Sequence, residues 1–138
     1  MEKFTLSFDV SNSDNSCPYH FEALIDGKLI AAIHQVVDDQ HLDCVVEVNE
    51  GDHELTFVIA NKPEDFTKLD HAGNITKDAL LTIDSIKIDD IEIDTIVHRL
   101  ATYHHSDTVD KFFGSAGCNG QIKLSFASPF YLWLLESM

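Results

Sequence analysis

A chain of 138 residues, 44% of them hydrophobic, is one domain long and can build its own core without a disulfide or structural metal. Its 24 acidic residues outnumber 9 basic ones, for a formal net charge of −15, and a field of that sign repels phosphate backbones and anionic lipid. Binding to nucleic acid or anionic lipid is therefore not expected, and no apolar run approaches the length of a membrane span, whereas cations, basic protein surfaces and neutral sugars stay open as partners.

Period-two alternation runs through most of the chain and predicts strands. Phe4, Leu6, Phe8 and Val10 alternate with polar residues, beginning so soon after Met1 that no signal peptide is expected and synthesis in a cytoplasm follows. A polar turn over residues 11–16 precedes Tyr19, Phe21, Ala23 and Ile25. Asp26-Gly27 then marks a two-residue hairpin, because both residues tolerate the positive φ that such turns require. The next strand runs from Lys28 to about Val37. A second hairpin is expected between Leu42–Val48 and Leu55–Ile59, around Asn49-Glu50-Gly51-Asp52, ending before Pro63.

Residues 61–78 read as a long polar excursion. Strand signals return over Leu80–Ile88 and at Ile91 and Ile93. Residues 95–120 read as a short helix or a wandering loop that carries Tyr103, His104, His105, Phe112 and Phe113. Ile122, Leu124 and Phe126 alternate once more. After Pro129 the run Phe130-Tyr131-Leu132-Trp133-Leu134-Leu135 is apolar on both faces, as in a buried strand or a subunit interface. About nine strands with short turns and little helical period predict one all-β domain over residues 1–138: a two-sheet antiparallel β-sandwich, jelly-roll-like.

Chemistry is sparse. Three cysteines, Cys17, Cys44 and Cys118, form no CxxC pair and leave an odd count, against both a zinc knuckle and a disulfide framework. No nucleophile, zinc-protease or phosphate-loop motif is present, so no catalytic residue is assigned and an enzyme is not expected. His104 and His105 are adjacent and in a strand point to opposite faces, as surface or structural residues do. Asp65, Asp70, Asn74 and Asp78 lie in one loop that could curl around calcium, or could simply be a solvated acidic loop. Tyr103, Phe112 and Phe113 could stack on a sugar ring or plug the end of the sandwich. Asn74-Ile75-Thr76 fits a glycosylation acceptor but is expected to be silent without a leader.

Two likenesses follow from these motifs. Ile25-Asp26-Gly27-Lys28, Gly51-Asp52-His53-Glu54-Leu55, Asn61 and Ile83-Asp84-Ser85-Ile86-Lys87-Ile88-Asp89 together resemble the calcium-dependent xylan-binding carbohydrate-binding modules over residues 4–94. That resemblance implies a jelly-roll sandwich, possible binding of host-surface glycans, and calcium held by Asp84 and neighbouring loop acids. The whole layout, ending in Ser128-Pro129-Phe130-Tyr131-Leu132-Trp133-Leu134-Leu135-Glu136, also resembles small virion-associated proteins of contractile-tailed bacteriophages of the cyanophage type. This second likeness implies a structural protein of a particle, in the capsid or tail, that docks on other virion proteins and self-associates. Phe130, Tyr131, Trp133 and Leu135 are then the expected interface. The particle component is the leading expectation and the carbohydrate-binding module its alternative.

Overall fold

The computed structural model describes residues 1–138. In chain order it contains β1 (Glu2–Asn12), β2 (His20–Ile25), β3 (Lys28–Ile33), β4 (Asp39–Val48), β5 (Gly51–Ala60), β6 (Lys68–Leu69), β7 (Ile75–Lys77), β8 (Leu81–Ile88) and β9 (Ile91–Glu92). Then follow α1 (Asp94–Leu100), β10 (Thr102–His105), β11 (Thr108–Lys111), β12 (Ser115–Ala116), β13 (Gly120–Ser128) and α2 (Phe130–Ser137). Two antiparallel sheets form the sandwich expected from the alternation. The first has the order β12-β8-β1-β4, with β9 on β8, and the second the order β11-β10-β13-β5-β2-β3. The pair β6-β7 is a small separate ribbon.

Alternation decides which side of each strand is buried, because successive side chains point to opposite faces. Phe4, Leu6, Phe8 and Val10 of β1 face Phe21, Phe57, Ile122 and Phe126 of the opposite sheet in one continuous core. At its centre the rings of Phe8, Phe21 and Phe57 lie 5.2–5.7 Å apart. The Asp26-Gly27 turn forms as expected, with φ of 51° and 80°, and returns β3 onto β2. Asp89-Asp90 and Ser106-Asp107 repeat the device with φ of 47–66°.

Three expectations are corrected. The second hairpin does not exist: β4 pairs with β1 in the first sheet, whereas β5 pairs with β2 and β13 in the second. The turn at residues 49–50 is an arch between sheets, and Gly51 takes φ of 121° as it enters β5. An inward face reads the same from either sheet, so alternation could not tell hairpin from arch. Residues 95–120 hold more order than expected: α1, the hairpin β10-β11 and an edge strand β12.

The terminal apolar run is a helix and not a strand. Its first turn is held by the Glu2 carboxylate, which accepts the Phe130 N–H at 2.9 Å and the Ser128 hydroxyl at 2.6 Å. Helical spacing turns Phe130 and Leu134 into the core and leaves Tyr131, Leu132 and Leu135 exposed. Phe130 therefore belongs to the core, where its ring packs against Phe4 and Trp133, and is not an interface residue.

Candidate ligand-binding site

A concavity of about 520 Å³ lies at the end of the second sheet where the β2-β3 turn, the start of β5, the end of β13 and α2 meet. Asp26, Asp52, His53, Glu54, Ser125 and the half-buried Trp133 shape it. Positive φ in the Asp26-Gly27 turn carries the Asp26 carboxylate toward β5, where it accepts the Glu54 N–H at 2.9 Å. The pairing Glu54↔Ser125 sets that acid beside the hydroxyl. The ring of Trp133 is fixed edge-on to Phe126, centroids 6.3 Å apart.

His53 organises this wall. Its Nδ1–H donates to Asp26 Oδ2 at 2.6 Å and its Nε2–H to the Asn49 carbonyl at 2.5 Å. Both partners are acceptors, so the geometry belongs to the doubly protonated ring. The bond to Asp26 pushes His53 above the usual histidine range, and the same bond holds Asp26 below the usual carboxylate range. Only 11% of the His53 side chain is exposed. The free carboxylates of the wall are Asp52 and Glu54: Asp52 is exposed, and Glu54 meets only the Thr56 hydroxyl, at 3.4 Å.

A second depression, about 360 Å³ and wholly polar, lies on the outer face of the first sheet. Asp84, the residue singled out from sequence for calcium, is in it. Ser85 has φ of 51° and makes a bulge in β8, clamped by Asp94, whose carboxylate accepts the N–H groups of Ser85 and Ile86 at 3.0 and 2.8 Å. The bulge turns Asp84 outward, opposite Asp9, and Asp9 is opposite His41 on its other side. His41 donates to Asp9 at 2.5 Å and to Asp43 at 3.0 Å. Partial burial, then the neighbouring Asp9, Asp94 and Asp39, push Asp84 above the usual carboxylate range. No three acidic, histidine or cysteine side chains converge here, or elsewhere, on a point where an ion could sit.

The other loop acids go separate ways. Asp78 is the counter-ion of Lys62, at 2.5 Å, and accepts the Thr67 hydroxyl at 2.7 Å. Despite opposing burial, these bonds hold it below the usual carboxylate range. Asp70 accepts the Ala72 and Asn74 N–H groups, both at 2.9 Å, and so closes its own turn. Asp65 stands exposed. Calcium wants six to eight convergent oxygens, and these four acids as arranged do not fit it.

Of the aromatic residues read as a ligand platform, Phe112 is fully buried. Tyr103 is also buried, its hydroxyl donating to the Cys118 carbonyl and accepting the Cys118 N–H at 2.9 Å. Burial pushes this phenol up to about 12. Both plug the sandwich, which corrects the platform expectation; only Phe113 is exposed. Trp133, expected at an interface, instead roofs the large concavity. Asp26, His53, Glu54 and Ser125 were not singled out as site residues. The signal was in the Asp-Gly and Gly-x-His-x-Leu motifs, which read as fold devices until pairing set them side by side.

No family model and no curated protein matches the chain. Among solved structures, the carbohydrate-binding module vCBM60 in complex with galactobiose is similar at 9% identity, with a TM-score of 0.54 over 87% of this chain and 96% of that one. The selenomethionine form of vCBM60, described as belonging to the calcium-dependent carbohydrate-binding modules, is similar at 9% identity and a TM-score of 0.56 over 88% and 89%. The likeness establishes the fold alone, a two-sheet antiparallel β-sandwich.

Proposed function

We propose that this chain is a non-catalytic glycan-binding module whose ligand lies in the concavity beside Trp133. The observation that carries the reading is the pairing, in one open depression, of a half-buried indole with the Ser125 hydroxyl and the free Asp52 and Glu54 carboxylates. A sugar ring presents an apolar C–H face and a rim of O–H donors. An indole packs the first, and carboxylates and hydroxyls bond the second. The galactobiose held by a module of the same fold supports the ligand class. Calcium is not part of the reading, because the available acids do not converge.

Titration calorimetry with galactobiose and a panel of neutral oligosaccharides tests it. Binding is expected in the range of a small open site, with no dependence on millimolar calcium. Trp133→Leu should abolish it and Ser125→Ala weaken it, with the circular dichroism spectrum retained. If no sugar binds, or if both variants bind as the parent does, the reading fails.

A second reading, a structural component of a phage particle that self-associates and docks on other virion proteins, draws on the exposed Tyr131, Leu132 and Leu135 of α2. Of the four residues expected at the interface, Phe130 is buried in the core and Trp133 is half-buried, which leaves Tyr131 and Leu135 exposed. Sedimentation at high concentration decides it: discrete oligomers abolished by Leu135→Ser would favour the particle component, and a monomer would remove its self-association.

A further inference from the structure

The walls of the Trp133 concavity bear on which sugars it takes. Three carboxylates, Asp26, Asp52 and Glu54, line it against one imidazolium, and no lysine or arginine is among the lining residues. The single positive group is already used: both His53 N–H groups are spent on Asp26 and on the Asn49 carbonyl. Lys28 acts on Asp26 from beyond the turn and does not line the depression. A ligand therefore meets two carboxylates with no internal cation, those of Asp52 and Glu54, in a depression that an indole also lines.

That combination is selective. A sugar carrying a carboxylate or sulfate would place a like charge against Asp52 and Glu54. A neutral sugar would satisfy them only with hydroxyl donors. A protonated sugar amine would supply the missing cation, and a hydrogen bond between charged partners is shorter and stronger than a neutral one. The indole adds to this, since its π-face attracts cations.

We infer that the concavity prefers amino sugars bearing a free ammonium group, such as glucosamine units, over neutral sugars, and rejects uronates. The inference rests on the glycan-binding reading and deepens it by naming the ligand class. Asp52 and Glu54 are its specificity residues, and Trp133 holds the ring.

The test compares four disaccharides by calorimetry at about pH 6, where a sugar amine is protonated: di-glucosamine, its N-acetylated counterpart, galactobiose and di-galacturonate. Two partly exposed ion pairs make di-glucosamine bind about tenfold more tightly than its acetylated counterpart. Di-galacturonate should not bind. The double variant Asp52→Asn/Glu54→Gln should erase the preference, bringing di-glucosamine down to the affinity that its acetylated counterpart has for the same variant. Glu64→Gln/Asp65→Asn removes the same charge beyond the opposite end of β5 and should leave the preference intact.

Equal affinity for the amino and neutral sugars overturns the inference and leaves the glycan reading standing. A preference that survives Asp52→Asn/Glu54→Gln, or that Glu64→Gln/Asp65→Asn also removes, overturns it too, because the protein's overall charge would then be its source. Binding of none of the four sugars defeats the reading and the inference together.

Discussion

The concavity at α2 and the groove around Asp84 are built on one device, a histidine that donates to two acceptors, one near it in sequence and one brought beside it by strand pairing. His53 does so with 11% of its side chain exposed, and His41 with 57%. Around His53 stand an indole, a hydroxyl and an aromatic floor; around His41 there are only polar side chains. The difference shows why a cluster of charge is not yet a binding site. Acids facing water in the first sheet are already solvated, so a ligand gains little by replacing that water. At α2 an apolar surface adjoins the acids, and a ligand with both kinds of surface can displace water from the ring while bonding the carboxylates.

The helix that roofs one region and is absent from the other gives the largest expected effect. Phe130→Ala should lower stability by about 3–5 kcal/mol in denaturant unfolding, the cost of emptying a buried phenylalanine site. Tyr131→Ser, one residue away on the exposed face, should change it little. Equal effects from the two would mean that α2 is not seated as described.

The clamps themselves come next. Asp26→Asn weakens the acceptor for a nearly buried imidazolium and should cost about 1–2 kcal/mol, a charged hydrogen bond discounted for the exposure of the aspartate. Asp9→Asn weakens the matching acceptor of His41, but it also removes a like charge opposite Asp84. Its effect on the melting temperature should be clearly smaller, and a larger loss for Asp9→Asn would break the comparison.

The smallest effect is on pH dependence. His53 has a folded pKa above its ordinary 6.5, so its contribution is complete below 6.5 and is lost as pH rises through the raised value. Asp26 has a folded pKa below its ordinary 3.8, so its contribution is complete above 3.8 and is lost as pH falls through the lowered value. The clamp is therefore whole between 3.8 and 6.5. Melting temperature should decline from mildly acidic to mildly alkaline buffer. His53→Asn should flatten much of that decline and His41→Asn little, since exposure to water weakens the second clamp. The reverse ranking would show that burial does not distinguish them.

The two regions also differ in how far sequence alone revealed them. Asp84 stood out because it sits in a strand motif with a recognisable pattern. The two residues between Ile83 and Ile86 broke the period of two, which is the mark of the bulge that now turns Asp84 outward. The concavity at α2 was hidden because its parts lie at positions 26, 52–54, 125 and 133. Each has an ordinary local role, and only the pairing of β5 with β2 and β13 makes them neighbours. Tyr103 and Phe112 misled for the complementary reason. In an irregular stretch an aromatic residue has no period to say whether it faces water, and both turned out to close the core.

From its amino-acid order alone this chain determined a β-sandwich: alternating apolar residues must be buried on one face, and Asp-Gly must turn. Which sheet each strand joined was decided by the tertiary structure, since an inward face is the same from either side. The fate of the terminal run was decided there too. An all-apolar segment suits a buried strand or a helix equally, and Glu2, far away in sequence, supplies the acceptor that starts the helix. The binding site is a product of that second decision, because Trp133 reaches the acids of the second sheet only from a helix laid across its end.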